Sequence, residues 1–268
     1  MLFSKLRRRS APPSHKHVAE VGWVLQTDHA SFIWPDPRPV SRSNVVPEHA
    51  KSVLFCPAVI DHEARLFEVA CPFDMRLAVR ITEKEEPMLL NVDGEQSSVT
   101  PRAFSKLAFL SARKQWRHPN RPLLQILTPY TFLADEHVYM TQLPPILHFQ
   151  EHPLPGVFIG GRIPIHLWPR PLTWAFEWYE TGKELVFKRG EPWFYCRFET
   201  SDPSRHVRLV EAEMTRHLKE YLAGINGVVS YINGSFSLFG TAQRRRPERL
   251  LQPVQRGRSL NSDPGKGD

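Results

Sequence analysis

Asp61, His62 and Glu63 stand side by side, and Asp74, Arg76 and Arg80 follow on the next apolar runs. A carboxylate beside an imidazole is the pairing that general acid–base chemistry uses. His62, Asp61 and Asp74 therefore form the candidate catalytic group. A structural reading competes with it: Asp74 follows Cys71-Pro72-Phe73, where an aspartate serves equally well to cap a turn. His148 and His152 enclose Glu151, and on a helix a four-residue step would put both imidazoles on one face, ready to share a metal. Pro144, Pro145, Pro153 and Pro155 oppose a helix there, and an extended loop removes the shared face. His148 and His152 remain the metal candidates, without the distant third ligand that a facial-triad site requires. Arg162, His166 and Arg170 recur at steps of four along 163–171, which aligns them on one side of a strand. Guanidinium groups match carboxylate and phosphate geometry, so these three are the candidate ligand-binding residues, with surface ion pairing as the ordinary alternative.

Other chemistries lack their signatures. No Gly-x-Ser-x-Gly elbow is present, and Gly156, Gly160 and Gly161 fit neither a dinucleotide-binding loop nor a P-loop. Cys56, Cys71 and Cys196 include no Cys-x-x-Cys pair and cannot all be bridged. Free thiols, with no apolar stretch of membrane-spanning length and no secretory leader pattern, lead to the expectation of a cytoplasmic protein. No cofactor is assigned.

Short strands must position these groups. Over 172–199 aromatic side chains alternate with mixed ones, which places successive residues on opposite faces of a sheet. Three strands are expected there in succession, separated by turns at 181–183 and 188–192, with the aromatics as core or as a ligand-stacking surface. Further strands are expected at 21–25, 32–34, 53–60, 66–71, 75–82, 88–92, 123–127, 130–133, 138–142, 154–159 and 163–168. Twenty-five prolines, about twice the usual share, favour short strands and stiff turns. A short helix is expected at 101–109, capped by Thr100 with Pro101 first. A long helix is expected from Asp202 to Gly224, because Val207, Val210, Met214, Leu218 and Tyr221 form one stripe. A hairpin about Asn233-Gly234 should follow. The fold class is mainly β (α+β): an antiparallel sandwich or partly closed barrel with one long helix near the C-terminus.

Charge divides the chain into three. Residues 1–17 hold five cations and no acid, and residues 243–268 hold seven cations against three acids. The net charge of +7 therefore comes from the ends, and the body is close to neutral. The expected organisation is a flexible basic tail at 1–17, one β-rich domain at 18–242 and a second flexible basic tail at 243–268. Arg7, Arg8, Arg9, Arg244, Arg245 and Arg246 would provide weak, salt-dependent contact with nucleic acid.

The runs at 123–145, 156–180 and 185–199 resemble those of a group of uncharacterised bacterial and phage β-rich proteins of about this size. That resemblance implies a β-rich body and no particular catalytic residue. The Gly-Glu-Pro turn at 190–192 before an aromatic strand also resembles the β-clip fold of dUTPases, although the Arg-Ser-Ser and Gly-x-Ile-Asp motifs of that family are absent. The leading expectation is a non-catalytic binding or interaction module, phage-associated on the resemblance, with an unidentified ligand or protein partner. The alternatives are a metal-dependent or acid–base enzyme and a tail-mediated binder of nucleic acid or anionic surfaces.

Overall fold

The computed structural model describes residues 18–26, 32–41, 52–83, 86–148, 153–229 and 235–255. Their architecture is mainly β. The first sheet curls into half a barrel. Its strand order is β14 (His206–Glu211), β1 (Val18–Leu25), β7 (Leu123–Leu133), β11 (Pro171–Trp178) and β9 (Gly156–Ile159), with β6 (Ala108–Leu110) also paired to β7. The second sheet runs β10 (Arg162–Pro164), β8 (Val138–Leu143), β13 (Pro192–Thr200), β3 (Leu66–Ala70) and β2 (Arg38–Pro39). The third is β12 (Leu185–Phe187), β4 (Met75–Ile81) and β5 (Pro87–Asn91). Only β1 and β14 pair in parallel among the described strands.

The aromatic strands form as their alternation requires, but they do not pair with one another. β11, β12 and β13 are consecutive in the chain and lie in three different sheets. Their alternating rings converge instead: Trp174 of β11 lies 5.3 Å from Phe187 of β12 and 6.2 Å from Trp193 of β13. Phe73 and Trp34 close the cluster against Trp193 at 5.5 and 6.5 Å. Such ring pairs contribute about 0.5–1.5 kcal/mol each beyond their area, so this cluster is where the sheets are joined. Gly190, at φ 84°, makes the turn between β12 and β13 that a side chain would oppose.

Several expectations give way. Residues 53–60 are not a strand: a 3₁₀ turn at Val53–Phe55 leads into helix α1 (Pro57–Glu63), with Pro57 in the first turn where its missing N–H costs nothing. No strand covers 32–34; Trp34 packs into the core, and the Pro35 carbonyl accepts the Tyr130 hydroxyl at 2.6 Å. The two strands expected at 123–127 and 130–133 are one, β7, running through Pro129 where the register against β11 shifts. Helix α2 (Pro101–Leu107) forms as expected, with Thr100 Oγ1 accepting the Ala103 N–H.

The long helix does not exist as one element. Asp202 caps a turn by accepting the Ser204 N–H at 2.9 Å, residues 206–211 form β14 against β1, and helix α3 (Arg216–Val229) starts only after Thr215. Leu218, Tyr221, Leu222 and Ile225 bury its apolar stripe, and Gly224 lies within the helix rather than at its end. Residues on both sides of Asn233-Gly234 are helical, α3 before and α4 (Ser235–Arg245) after, which replaces the expected hairpin; Asn233 and Gly234 themselves lie outside the described residues. The chain stays within the fold past 243, as far as 255, with Leu250 and Leu251 buried and Ala212 bridged to Pro253. No helix among the described residues is long and apolar enough to cross a membrane.

Candidate interaction surface

The candidate catalytic group has divergent partners. Asp61 lies on α1, where Arg65 binds both its oxygens at 3.1 to 3.2 Å. That hydrogen bond holds the Asp61 carboxyl below its usual range, against the opposing effect of burial. His62 is its neighbour on the same helix and half-buried. Asp74 belongs to another region: its Oδ1 accepts the Arg189 N–H at 2.9 Å and secures the turn after β12. His148 Nε2 lies 3.8 Å from Glu191 Oε2, and His152 is outside the described residues. Among the described residues no three His, Cys, Asp or Glu side chains gather as a metal would require.

Arg162, His166 and Arg170 do not share a strand, because β10 ends at Pro164 and the chain turns, with Leu167 and Trp168 both donating to the Pro164 carbonyl. Two of the three still meet through Tyr139. Arg162 lies over that ring at 3.6 Å and pairs with Glu199 at 2.9 Å, and His166 faces it at 5.7 Å. His166 is buried, its ring 4.3 Å from that of His137 and tilted by 48° to it, with Nδ1 2.9 Å from the Val138 carbonyl. Burial lowers its affinity for a proton, more strongly than the Val138 contact raises it. Arg170 lies over Trp168 instead.

The cationic residues of the expected tails divide as well. Arg7, Arg8 and Arg9 are outside the described residues. Arg244 and Arg245 close α4, with Arg244 donating to Thr241 Oγ1 at 3.1 Å. Arg246 is no tail residue: its side chain is 13% exposed and donates to the carbonyls of Ala134, Asp135, His166, Pro247 and Glu248. A cleft of about 340 Å³ between α3 and α4 is walled by Tyr221, Ile225, Leu238 and Ala242, with His217, Glu220 and Arg245 also lining it.

The most distinctive surface is one that the overall charge balance conceals. The outer face of β6, β7, β11 and β9 carries Phe109, Leu127, Val157 and, one residue past β11, Tyr179. These four are between 37% and 45% exposed, while their neighbours in the alternation, among them Ile126, Trp174 and Phe158, fill the core. The segment leading into β7 is basic: residues 101–121 contain Arg102, Lys106, Arg113, Lys114, Arg117 and Arg121 and no acid, and Arg117 and Arg121 border this face. Leu123 pairs with Glu177, so one further step of that register sets Arg121 against Tyr179, and its guanidinium lies 4.2 Å from the ring centroid. Arg113 lies over Trp116 at 5.9 Å, and the Trp116 indole is fixed by donating to the Ser111 carbonyl at 2.8 Å. Glu177, 3% exposed, lies beneath Arg117 at 2.5 Å and Arg121 at 3.5 Å. The two arginines remain 61% and 42% exposed, so the carboxylate orients them while N–H groups still face solvent. A 21-residue window reveals the acid-free run that an average over 18–242 hides.

No protein-family model matches the chain, and no curated protein sequence matches it.

Proposed function

We propose that the protein is a binding module for an anionic partner, docking on the outer face of β6, β7, β11 and β9 beside the basic segment 113–121. One observation carries this reading: four large apolar side chains stay open on a single sheet face, flanked by cations, while the aromatics of 172–199 other than Tyr179 are spent on the core. Apolar contact supplies affinity at the centre of such a surface, and charge at its rim sets partner choice and encounter rate.

The test is a comparison of baits in extract from the native cell. Phe109→Asp with Leu127→Asp spoils the face, and Ile81→Asp, at the exposed end of β4, provides the control. Each bait is first shown to unfold cooperatively in urea. The face variant should lose components that the parent and the control both retain. Identical recovery by all three baits overturns the proposal.

A further inference from the structure

Taking that docking face as its basis, we propose that its occupant is a single-stranded nucleic acid, with phosphates held by the 113–121 cations and bases stacked on the exposed rings.

Charge excludes the nearest alternatives. The N-terminal segment 1–17 of this chain is itself basic, and a second copy placed face to face would oppose two acid-free cationic segments, so neither complements the surface. An acidic polypeptide would satisfy the cations, but it offers no flat faces to stack on the guanidinium planes that already lie over Trp116 and Tyr179. Phe109, Trp116 and Tyr179 are interleaved with the cations, and two of them already carry a guanidinium plane. Rings alternating with arginines make a platform on which any base can stack, at about 1–3 kcal/mol per base. Phe109 and Tyr179 lie two strands apart and four residues out of step, about 10 Å across the sheet and about 13 Å along it, which gives an extended strand more than one place to stack. A duplex offers phosphates but hides its base faces, so it would use only half of this surface. Glu177 fits the same scheme, because its carboxylate is covered and meets the ligand only through Arg117 and Arg121.

The experiment uses the full chain and a fluorescein-labelled oligo(dT) of about 20 nucleotides, followed by anisotropy over a range of salt. The parent should bind, with affinity falling steeply as salt rises. Arg113→Gln with Lys114→Gln removes two exposed cations and should flatten the slope of log K against log salt by about 1.4, at about 0.7 per phosphate contact. Phe109→Ala should weaken binding several-fold with the slope unchanged, since stacking releases no counterions. Failure of the parent to bind at 0.1 M salt overturns the proposal. So does binding lost on changing Arg7, Arg8 and Arg9 to alanine yet indifferent to Arg113→Gln with Lys114→Gln, because the tail would then be the binding element. Equal affinity for a duplex, or displacement by polyglutamate at matched charge, also overturns it, the latter in favour of an acidic protein partner. If oligo(dT) fails while the Phe109 and Leu127 variant still loses cellular partners, the docking face stands and only the identity of its occupant falls.

Discussion

Arg246 donates its Nε–H to the backbone carbonyl of His166 at 2.7 Å, tying the end of α4 to the turn after β10. The same guanidinium reaches the Ala134 and Asp135 carbonyls, and Asp135 Oδ1 in turn accepts the backbone N–H groups of Leu250 and Leu251 at 2.6 and 3.2 Å. One cation thus organises the segment whose Leu250 and Leu251 pack with Val24, Leu133, Leu218 and Leu222. Arg246→Ala leaves several carbonyls without a donor and should cost about 2 kcal/mol or more, read from urea unfolding. Arg246→Lys should recover only part of that, because an ammonium lacks the planar fork. Arg244→Ala, which among the described residues loses a bond to Thr241 Oγ1, serves as the control and should cost far less.

Gly160 approaches β8 so closely that an added Cβ would lie 2.0 Å from the Gln142 carbonyl oxygen. Next to it Gly161 has nothing within 4 Å, although its carbonyl accepts the Gln142 N–H at 3.0 Å. Gly160→Ala should therefore destabilise the protein by about 1–3 kcal/mol as the two backbones are forced apart, and Gly161→Ala should be close to neutral. Equal melting temperatures for the two variants would contradict this packing.

Periodicity of two is a local property, so the strands at 171–178, 185–187 and 192–200 are legible from residue types alone. Their partners are not, because pairing depends on chain distant in sequence, and β11, β12 and β13 each found theirs in a different sheet. The false helix at 202–224 has a specific origin: Val207 and Val210 belong to a strand and Leu218 and Tyr221 to a helix, and the two stripes happen to continue at helical steps. Arg246 reads as part of a solvated basic run because the carbonyl cage around it draws on two distant stretches, 134–135 and 166, as well as the neighbouring 247–248. The proposed docking face is partly legible, since the acid-free run and its aromatics are visible in sequence. That they flank an exposed sheet face follows only from the register of β6, β7 and β11.

Cysteine reactivity should separate cleanly by position. Cys56 is exposed, whereas Cys71 and Cys196 are buried. Burial pushes the Cys71 thiol up to about 12 and raises that of Cys196 further, so neither supplies thiolate near pH 8. An excess of a water-soluble disulfide reagent at pH 8 should titrate one thiol promptly in the native protein and three in guanidinium. Cys56→Ser should abolish the prompt phase. Fast modification of a second thiol in the Cys56→Ser protein would show that one of the buried pair opens readily.

His166 makes stability depend on pH with a defined sign. Its folded-state proton affinity is below that of the free side chain, chiefly through burial and further through the neighbouring His137 and Arg246, with the Val138 carbonyl opposing. The unfolded chain therefore binds a proton that the folded chain resists, and protonation favours unfolding. The neutral form's advantage is fully present above the ordinary histidine value of about 6.5 and is lost progressively as pH falls from there through the depressed folded value. His166→Gln removes that proton-binding site. The difference in unfolding free energy between parent and variant, measured in urea from pH 7.5 down to 5, should shift in the variant's favour as acid is added. His137→Gln provides the companion measurement: removing the neighbouring ring's charge should ease protonation of His166 and move the transition to lower stability loss per pH step. A parent–variant difference for His166→Gln that stays flat across this range would mean that the buried ring is as easily protonated as a solvated one.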